Sequence, residues 1–61
     1  MTRRQAGILA LLAREPMTTY SLAVALDERT ADIATDLNRL SSAGVVEHTE
    51  DGWQLTDKVA A

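Results

Sequence analysis

The clearest alternation of apolar and polar positions lies between Arg29 and Ala43. Ile33, Leu37 and Leu40 recur at spacings of four and three residues, and Gly44 follows four residues later. Because an α-helix repeats about every 3.6 residues, these positions fall on one stripe. The pattern predicts a helix over 29–43. The residues expected to face away from the stripe are Arg29, Ala31, Asp32, Thr35, Asn38, Arg39 and Ser42.

A shorter predicted helix, 19–26, precedes this one and is expected to bury Leu22, Ala23 and Leu26. Thr19 is its predicted N-cap. At the joint, Asp27 either takes a left-handed backbone conformation or caps the next helix with its carboxylate. Gly44 is expected to end the longer helix, since glycine readily takes a positive φ. Two short helices with a buried seam and a presented outer face form a helix-turn-helix.

The start of the chain predicts a further helix, from about Arg3 to Arg14. Thr2 and Gln5 have the spacing of a capping box. The apolar core positions of this helix are Ile8, Leu11 and Leu12. Pro16 ends the element, because the residue before a proline is driven out of helical geometry. Met17 and Thr18 are then expected to form an extended connection.

The last part of the chain predicts a β-hairpin over 45–56. Asp51-Gly52 separates two strand-like runs, and this dipeptide suits a two-residue type I′ turn. That turn places His48 opposite Leu55, as a half-buried strand residue. Val46, Leu55 and part of Trp53 are expected to close the core. Residues 57–61 are expected to form a short, frayed tail.

The ordered set of these residues resembles the winged-helix core of MarR-type and ArsR-type transcriptional regulators. The resemblance runs from about Thr2 to Asp57. The positions that carry it are Leu22-Ala23, Leu26, Ile33, Leu37, the LSSAG run from Leu40 to Gly44, and the VVEHTEDGWQLT run that follows. It implies one α+β, mainly helical domain over 1–61, a three-helix winged helix-turn-helix with a C-terminal two-stranded β-hairpin wing.

The resemblance also implies a function. Its members bind double-stranded DNA through the second helix of the motif and through the wing, and they regulate transcription. In this family the segment at Met17 adds a short strand to the wing. We therefore expect a small sequence-specific DNA-binding protein that reads the major groove with the helix at 29–43.

Candidate DNA contacts follow from the chemistry of base edges. Asn38 suits adenine, Arg39 suits guanine or a phosphate, and Thr35 suits the thymine methyl group, while an aspartate can accept from cytosine. Hydroxyls at the start of the second helix stand where the family places phosphate contacts. Arg3 and Arg4 form a further cationic pair, first interpreted as a solvated helix start. The complete set of predicted DNA-binding residues is Thr19, Arg29, Thr30, Asp32, Thr35, Asn38, Arg39 and Thr49.

Charge argues in the opposite direction. Nine acidic and six basic residues give a net charge of -3, whereas a chain built only to hold DNA usually carries positive charge. Glu47, Glu50 and Asp51 occupy the wing, where DNA-binding relatives commonly carry Arg or Lys. Asp32 and Asp36 are expected to be solvated, with Arg39 able to pair with Asp36. The acidic, lysine-poor composition would also suit a salt-loving host.

An alternative function is therefore that of an acidic winged helix acting as a protein-protein interaction module. Tyr20 and Val24 lie four residues apart on the outer side of the second helix. Either Tyr20 packs across a neighbouring helix and Val24 is a tolerated surface residue, or the two form an apolar patch for a protein partner or a homodimer.

No catalytic, metal or cofactor site is expected. The chain has no cysteine, which excludes disulfides, thiolate metal sites and cysteine nucleophiles. His48 is the only histidine, and no glycine-rich loop precedes a helix. No ligand pocket is expected in so small a core. The longest apolar run, Ile8 to Ala13, is too short to span a bilayer, so a cytoplasmic protein is expected.

Overall fold

The computed structural model describes residues 1–57. Three helices are followed by an antiparallel hairpin, in the order α1 (Arg3–Leu12), α2 (Thr19–Leu26), α3 (Thr30–Ser42), β1 (Val46–Thr49) and β2 (Gly52–Leu55). This confirms the predicted α+β, mainly helical architecture with a C-terminal hairpin. No helix within 1–57 has the length and apolarity needed to cross a membrane. The predicted frayed tail lies outside the described residues, except for Asp57.

α1 begins at the predicted capping box. Thr2 Oγ1 accepts a hydrogen bond from the Gln5 N–H at 3.1 Å, and Gln5 Oε1 accepts from the Thr2 N–H at 3.2 Å. The helix ends at Leu12, so the predicted end at Arg14 is too late. The Arg14 N–H donates to the Leu11 carbonyl, three residues back, at 3.0 Å. The chain therefore tightens into a 3₁₀-type turn before Pro16 is reached.

α2 is capped by Thr18, not by the predicted Thr19. Thr18 Oγ1 accepts from the Ser21 N–H at 3.1 Å, and the Thr18 hydroxyl donates to Ser21 Oγ at 3.0 Å. Two adjacent threonines offer the same capping chemistry, so the local sequence does not decide between them. Thr18 is the cap because the Thr19 hydroxyl oxygen accepts a hydrogen bond from Trp53 instead.

The turn between α2 and α3 depends on Asp27, which takes the left-handed conformation with φ 54° and ψ 47°. This is the first of the two predicted alternatives. The Glu28 N–H donates to the Ala23 carbonyl at 2.9 Å, as in a Schellman helix end. α3 ends in the same way at Gly44, which has the predicted positive φ of 77°.

α3 is slightly shorter than predicted at both ends. Arg29 is the N-cap residue and makes no side-chain capping bond, while Ala43 is the C-cap residue. The helical stripe itself is as predicted, with Ile33, Leu37 and Leu40 buried. α3 therefore presents the predicted outer face.

The hairpin turn lies one residue earlier than predicted. Thr49 pairs with Gly52, so Glu50 and Asp51 form the turn. Within 1–57, Asp27 is the only non-glycine residue with a positive φ, so the turn is not type I′, which requires two positive φ values. Gly52 instead begins β2 with φ 115°, and a Cβ there would lie 2.7 Å from the Met17 carbonyl oxygen. Glycine is thus required by this close approach and by the backbone conformation.

The hairpin register also differs from the prediction. Val46 pairs with Leu55, and His48 pairs with Trp53 instead of Leu55. His48 is exposed, with its ring centroid 4.7 Å from that of Trp53, whereas a half-buried position was expected. Because the register differs by two residues, every side chain keeps its predicted face. Val46 is accordingly buried, and Leu55 packs against the core.

The extended segment between α1 and α2 joins the hairpin. The Met17 N–H donates to the Trp53 carbonyl at 3.0 Å, and the Trp53 N–H donates to the Met17 carbonyl at 2.7 Å. The contact is an isolated bridge of one residue at the place where the family resemblance implied a short strand. It fixes the hairpin against the helices.

The hydrophobic core receives side chains from all three helices and from β1. Its buried members are Ile8, Leu12, Leu22, Ala23, Ile33, Leu37, Leu40 and Val46. Leu11, a predicted core residue, is only partly buried and packs at the margin, as does Leu9. The core thus holds the inner sides of α2 and α3 and leaves their outer sides exposed.

Candidate nucleic-acid interface

The inner side of α3 contains a buried carboxylate that was expected to be solvated. Asp36 is only 2% exposed. Arg4 Nε donates to Asp36 Oδ2 at 2.5 Å, and Gln5 Nε2 donates to the other carboxylate oxygen at 3.4 Å. The predicted pairing of Asp36 with Arg39 is therefore wrong, and Arg4 is not a solvated residue of the helix start. The packing of α1 beside α3 supplies the partner from 32 residues away.

The same guanidinium also approaches the preceding turn of α3. Arg4 Nη1 lies 3.8 Å from Asp32 Oδ2. The side-chain hydrogen bond to Asp36 raises the pKa of Arg4, against the opposing effect of burial, and the charges of Asp36, Asp32 and Glu28 add to the rise. Arg4 therefore compensates acidic residues in the first half of α3, and it does so from the inner side of the helix.

A signal for this pair was present in the sequence. Arg4 lies on the same side of α1 as Ile8 and Leu12, at spacings of four residues. Asp36 likewise falls within the apolar stripe of α3, beside Leu37. Opposite charges inside two apolar stripes indicate a buried pair once the two stripes are taken to face each other.

The outer face of α3 is polar and carries positive charge. Its exposed predicted contacts are Arg29, Thr30, Thr35, Asn38 and Arg39. Neither Arg29 nor Arg39 forms an ion pair within the described part of the chain. The Thr35 hydroxyl donates to the Ala31 carbonyl at 3.0 Å, which leaves its methyl group outside. Asn38 and Arg39 are each neighbours of Thr35 on the helix surface, because they follow it by three and four residues.

Two predicted contacts do not join this face, because their hydroxyl groups are used inside the protein. Thr19 is half-buried, and its Oγ1 accepts from Trp53 Nε1 at 3.0 Å. The Thr49 hydroxyl donates to the Gly52 carbonyl at 2.9 Å and accepts from the Asp51 N–H at 3.3 Å. Both threonines stabilise the hairpin. A tryptophan indole N–H usually finds an acceptor when buried, which was the available signal for the Thr19 contact.

The hairpin presents an acidic surface. Glu47, Glu50 and Asp51 are exposed, and none forms an ion pair within 1–57. Glu47 Oε1 accepts from Gln54 Nε2 at 2.7 Å. Asp27 and Glu28 add exposed carboxylates just before α3. The outer face of α3 is therefore a cationic strip with acidic groups at its beginning and on the hairpin.

The outer side of α2 is apolar. Tyr20 is 70% exposed and Val24 is 63% exposed. The Tyr20 ring is therefore not packed across α1 or α3, which was one of the two predicted alternatives. This surface contains none of the residues on the cationic strip.

Two further features lie outside the strip. An open depression of about 230 Å³ is lined by Leu11, Arg14, Glu15 and Met17 at the end of α1, and it contains none of the predicted site residues. Across residues 1–57, no group of at least three His, Asp or Glu side chains is arranged to hold a metal ion.

Comparison with known proteins places the chain in a family. No curated protein matches it, and no solved structure matches it. The family model HVO_A0114 matches residues 1–59 of the 61 residues. Since that match covers nearly the whole sequence, the chain belongs to the HVO_A0114 family.

Proposed function

We propose that this protein binds double-stranded DNA through the outer face of α3, as a winged-helix transcriptional regulator of the MarR and ArsR type. The observation that carries this proposal is the inward position of Asp36 against Arg4. This pairing holds the Asp36 carboxylate on the inner side of α3, away from the outer face. Arg29 and Arg39 then give α3 a locally positive surface on a chain whose net charge is -3.

The dimensions of α3 suit the major groove. Its 13 residues correspond to a length of about 20 Å, and a helix with its side chains is about 10–12 Å wide. The major groove is about 12 Å wide. In this proposal Asn38 reads adenine, Arg39 reads guanine or holds a phosphate, and the Thr35 methyl group packs on thymine.

The beginning of α3 has a different role in the proposal. Arg29 and Thr30 contact the phosphate backbone, where contacts position the helix without reading sequence. Asp32 remains with Arg4, at 3.8 Å, and does not contact a base. Thr19 and Thr49 act indirectly, because they hold the hairpin beside the helix.

The acidic hairpin makes binding unusual in its salt dependence. Each neutralised phosphate contributes about -0.9 to the slope of log affinity against log salt concentration. If Arg29 and Arg39 both contact phosphates the slope should be about -2, and if Arg39 reads guanine instead it should be about -1. The repulsion from Glu50 and Asp51 is screened as salt rises. Binding should therefore depend more on base contacts than on counterion release.

Selection from a library of random duplexes tests the proposal, because a sequence-specific reader need not bind one arbitrary duplex. The selected pool is then titrated with isotope-labelled protein while amide NMR shifts are followed. We expect shifts concentrated between Arg29 and Arg39. Arg39→Ala should weaken binding by about tenfold or more, the usual size for a lost bidentate base contact.

Arg14→Ala is the matched control, since Arg14 is an exposed arginine outside α3. The Arg14→Ala variant should keep most of its affinity for the selected DNA. The proposal fails if no sequence is enriched over several rounds, or if Arg14→Ala and Arg39→Ala weaken binding equally.

The exposed acids of the hairpin support a second candidate function, an interaction module for a basic protein partner. Complementary charge steers such partners together. Glu50→Gln combined with Asp51→Asn separates the two functions. If the protein binds DNA, this change should strengthen DNA binding by removing repulsion. If the hairpin binds a basic protein, the same change should weaken that complex and leave DNA unbound.

A further inference from the structure

α2 differs from an ordinary surface helix because its outer side is apolar. The exposed residues between its ends are Tyr20, Ser21, Val24 and Ala25, and none carries a charge. Leu22 and Ala23 fill the inner side. A helix that is apolar all round is normally buried on all sides. Something is therefore expected to cover the outer side, which we name the α2 face, defined by these four exposed residues.

The α2 face is complementary in shape to the α2 face of a second copy. Tyr20 and Val24 form one row at a spacing of four residues, and they are bulky. Ser21 and Ala25 form the neighbouring row at the same spacing, and they are small. In helix packing, rows spaced by four residues form ridges that fit the grooves of a second helix. A two-fold pair needs one surface to supply both partners of each contact, and this surface does.

We infer that the α2 face packs against the α2 face of a second copy of this chain, with the two helices antiparallel. Charge decides the direction. Asp27 and Glu28 follow the C-terminal end of α2, whereas its first turn contains no acidic residue. An antiparallel arrangement brings these carboxylates towards the positive N-terminal end of the other helix. A parallel arrangement would bring four carboxylates of the two copies together.

The arrangement defines its contacts. Tyr20 of one copy lies over Ala25 of the second copy, and Ser21 lies over Val24 of the second copy. Small residues in the groove let the helix axes approach to about 8 Å. The eight residues of α2 span only about 12 Å, so the contact is smaller than the roughly 800 Å² per partner of a stable complex. The dimer should therefore be weak.

Sedimentation equilibrium of the full chain without DNA tests the inference. Its outcome is independent of the proposed DNA binding, because the α2 face contains none of the proposed DNA contacts. From tens of micromolar to about 1 mM protein, the apparent mass should rise from that of a monomer towards that of a dimer. Val24→Arg should weaken the association at least tenfold, by placing a long charged side chain from each copy in the apolar contact.

Ala10→Arg is the matched control, because Ala10 is an exposed alanine on α1. It should associate like the unchanged chain. Tyr20→Ser combined with Val24→Ser provides a second disruption without added charge. Amide NMR spectra of each variant establish that the fold persists, so that a lost dimer is not mistaken for a lost fold.

The direction of packing is tested in a mixture of labelled and unlabelled chains. Intermolecular NOEs are expected between the Tyr20 ring and the Ala25 methyl group. A chain that stays monomeric at about 1 mM overturns the inference. So does a dimer that survives both sets of α2 changes, or one that is abolished by Ala10→Arg instead. NOEs between equivalent Tyr20 rings would reject the antiparallel arrangement.

Discussion

α2 and α3 are neighbours that bury similar surfaces and expose opposite ones. α2 buries Leu22 completely, and α3 buries Ile33 and Leu37 completely. On the outside, α2 presents Tyr20 and Val24, whereas α3 presents threonine, asparagine and arginine side chains. The inner sides share large apolar side chains because one core requires apolar shape from both, and α3 alone adds a buried carboxylate, that of Asp36.

The outer sides are not required by that core, so packing in the core does not explain their difference. A polar, cationic helix face needs no cover and is suited to a hydrated, charged ligand such as DNA. An apolar face gains free energy when it is removed from water. This contrast is the reason that we propose two separate surfaces on two adjacent helices, one for DNA and one for a second copy of the chain.

The largest expected effect concerns the shared inner side. Leu22→Ala and Leu37→Ala each remove a fully buried side chain, and each should lower the free energy of unfolding by about 2–5 kcal/mol. Stability of only a few kcal/mol is typical of a domain this small, so both variants should be largely unfolded. Urea denaturation followed by helical circular dichroism measures both. A loss at only one site would show that the helices do not share the core equally.

The next effect concerns the buried carboxylate of α3. Arg4→Ala strands the Asp36 carboxylate, which has a side chain only 3% exposed, while Asp36→Ala leaves an arginine whose side chain is 31% exposed. Removing Asp36 should lower the unfolding free energy by about 1–3 kcal/mol. Arg4→Ala should lower it more, because a buried charge without its partner is strongly unfavourable.

Thermal or urea unfolding of the two variants gives this order directly. The reverse order would mean that Asp36 reaches water in the Arg4 variant. The contribution of the Arg4 charge should not depend on pH near neutrality. The raised pKa of Arg4 belongs to a base, so its stabilisation is complete below the unfolded-state pKa and is lost only as pH rises through the folded-state pKa.

A smaller effect compares the ends of the two helices. Both end at a left-handed residue, Asp27 after α2 and Gly44 after α3. A Cβ at Gly44 would meet no atom within 4 Å, so Gly44→Asp introduces no clash. It should lower stability by about 1 kcal/mol through the left-handed backbone conformation, and its carboxylate at the negative end of α3 adds to the loss. Asp27→Gly should raise stability by a smaller amount, because glycine also increases the entropy of the unfolded chain.

Chemical denaturation of this exchanged pair is the measurement. If both variants were destabilised equally, the Asp27 carboxylate near the start of α3 would add more to the free energy of unfolding than the left-handed backbone conformation of Asp27 subtracts from it. Asp27→Gly should also strengthen DNA binding slightly, because it removes an acid beside the cationic strip.

The smallest effects are expected on the outer faces. Val24→Ser on α2 and Asn38→Ser on α3 should each change the unfolding free energy of the dilute monomer by no more than about 0.5 kcal/mol. Their functional effects should separate: the first weakens self-association and the second weakens DNA binding. Measuring both properties on both variants tests the comparison directly. A variant that changed both properties would indicate one shared surface instead of two.

Much of the fold could be predicted because it depends on local chemistry. Helical periodicity placed Ile33, Leu37 and Leu40 on one stripe, and the capping box placed the start of α1. The left-handed conformation of Gly44 was predicted because few residue types accept it, and that of Asp27 was one of two predicted alternatives. The outer face of α3 followed from the same periodicity, since fixing the inner stripe also fixes which side chains face outward.

The candidate site was less predictable where a residue has more than one possible partner. Asp36 has Arg39 near it in sequence, yet it binds Arg4, which reaches it only because α1 packs beside α3. Thr19 and Thr49 have the chemistry of phosphate contacts, but their hydroxyl groups are engaged around the hairpin. Spacing along the chain indicates which face of a helix a side chain occupies. It does not indicate which side chains of other elements will compete for its hydrogen bonds.

The sequence by itself determined three helices, a hairpin, the buried stripes and the left-handed Gly44, because each depends on neighbours within a few positions. The tertiary structure alone decided the partner of Asp36, the cap of α2 and the hairpin register. Gly52 shows the reason most clearly: its place at the start of β2 is set by the Met17 carbonyl, which a Cβ would approach to 2.7 Å. Such contacts form only when particular elements pack against each other, and the packing of the elements depends on the whole core.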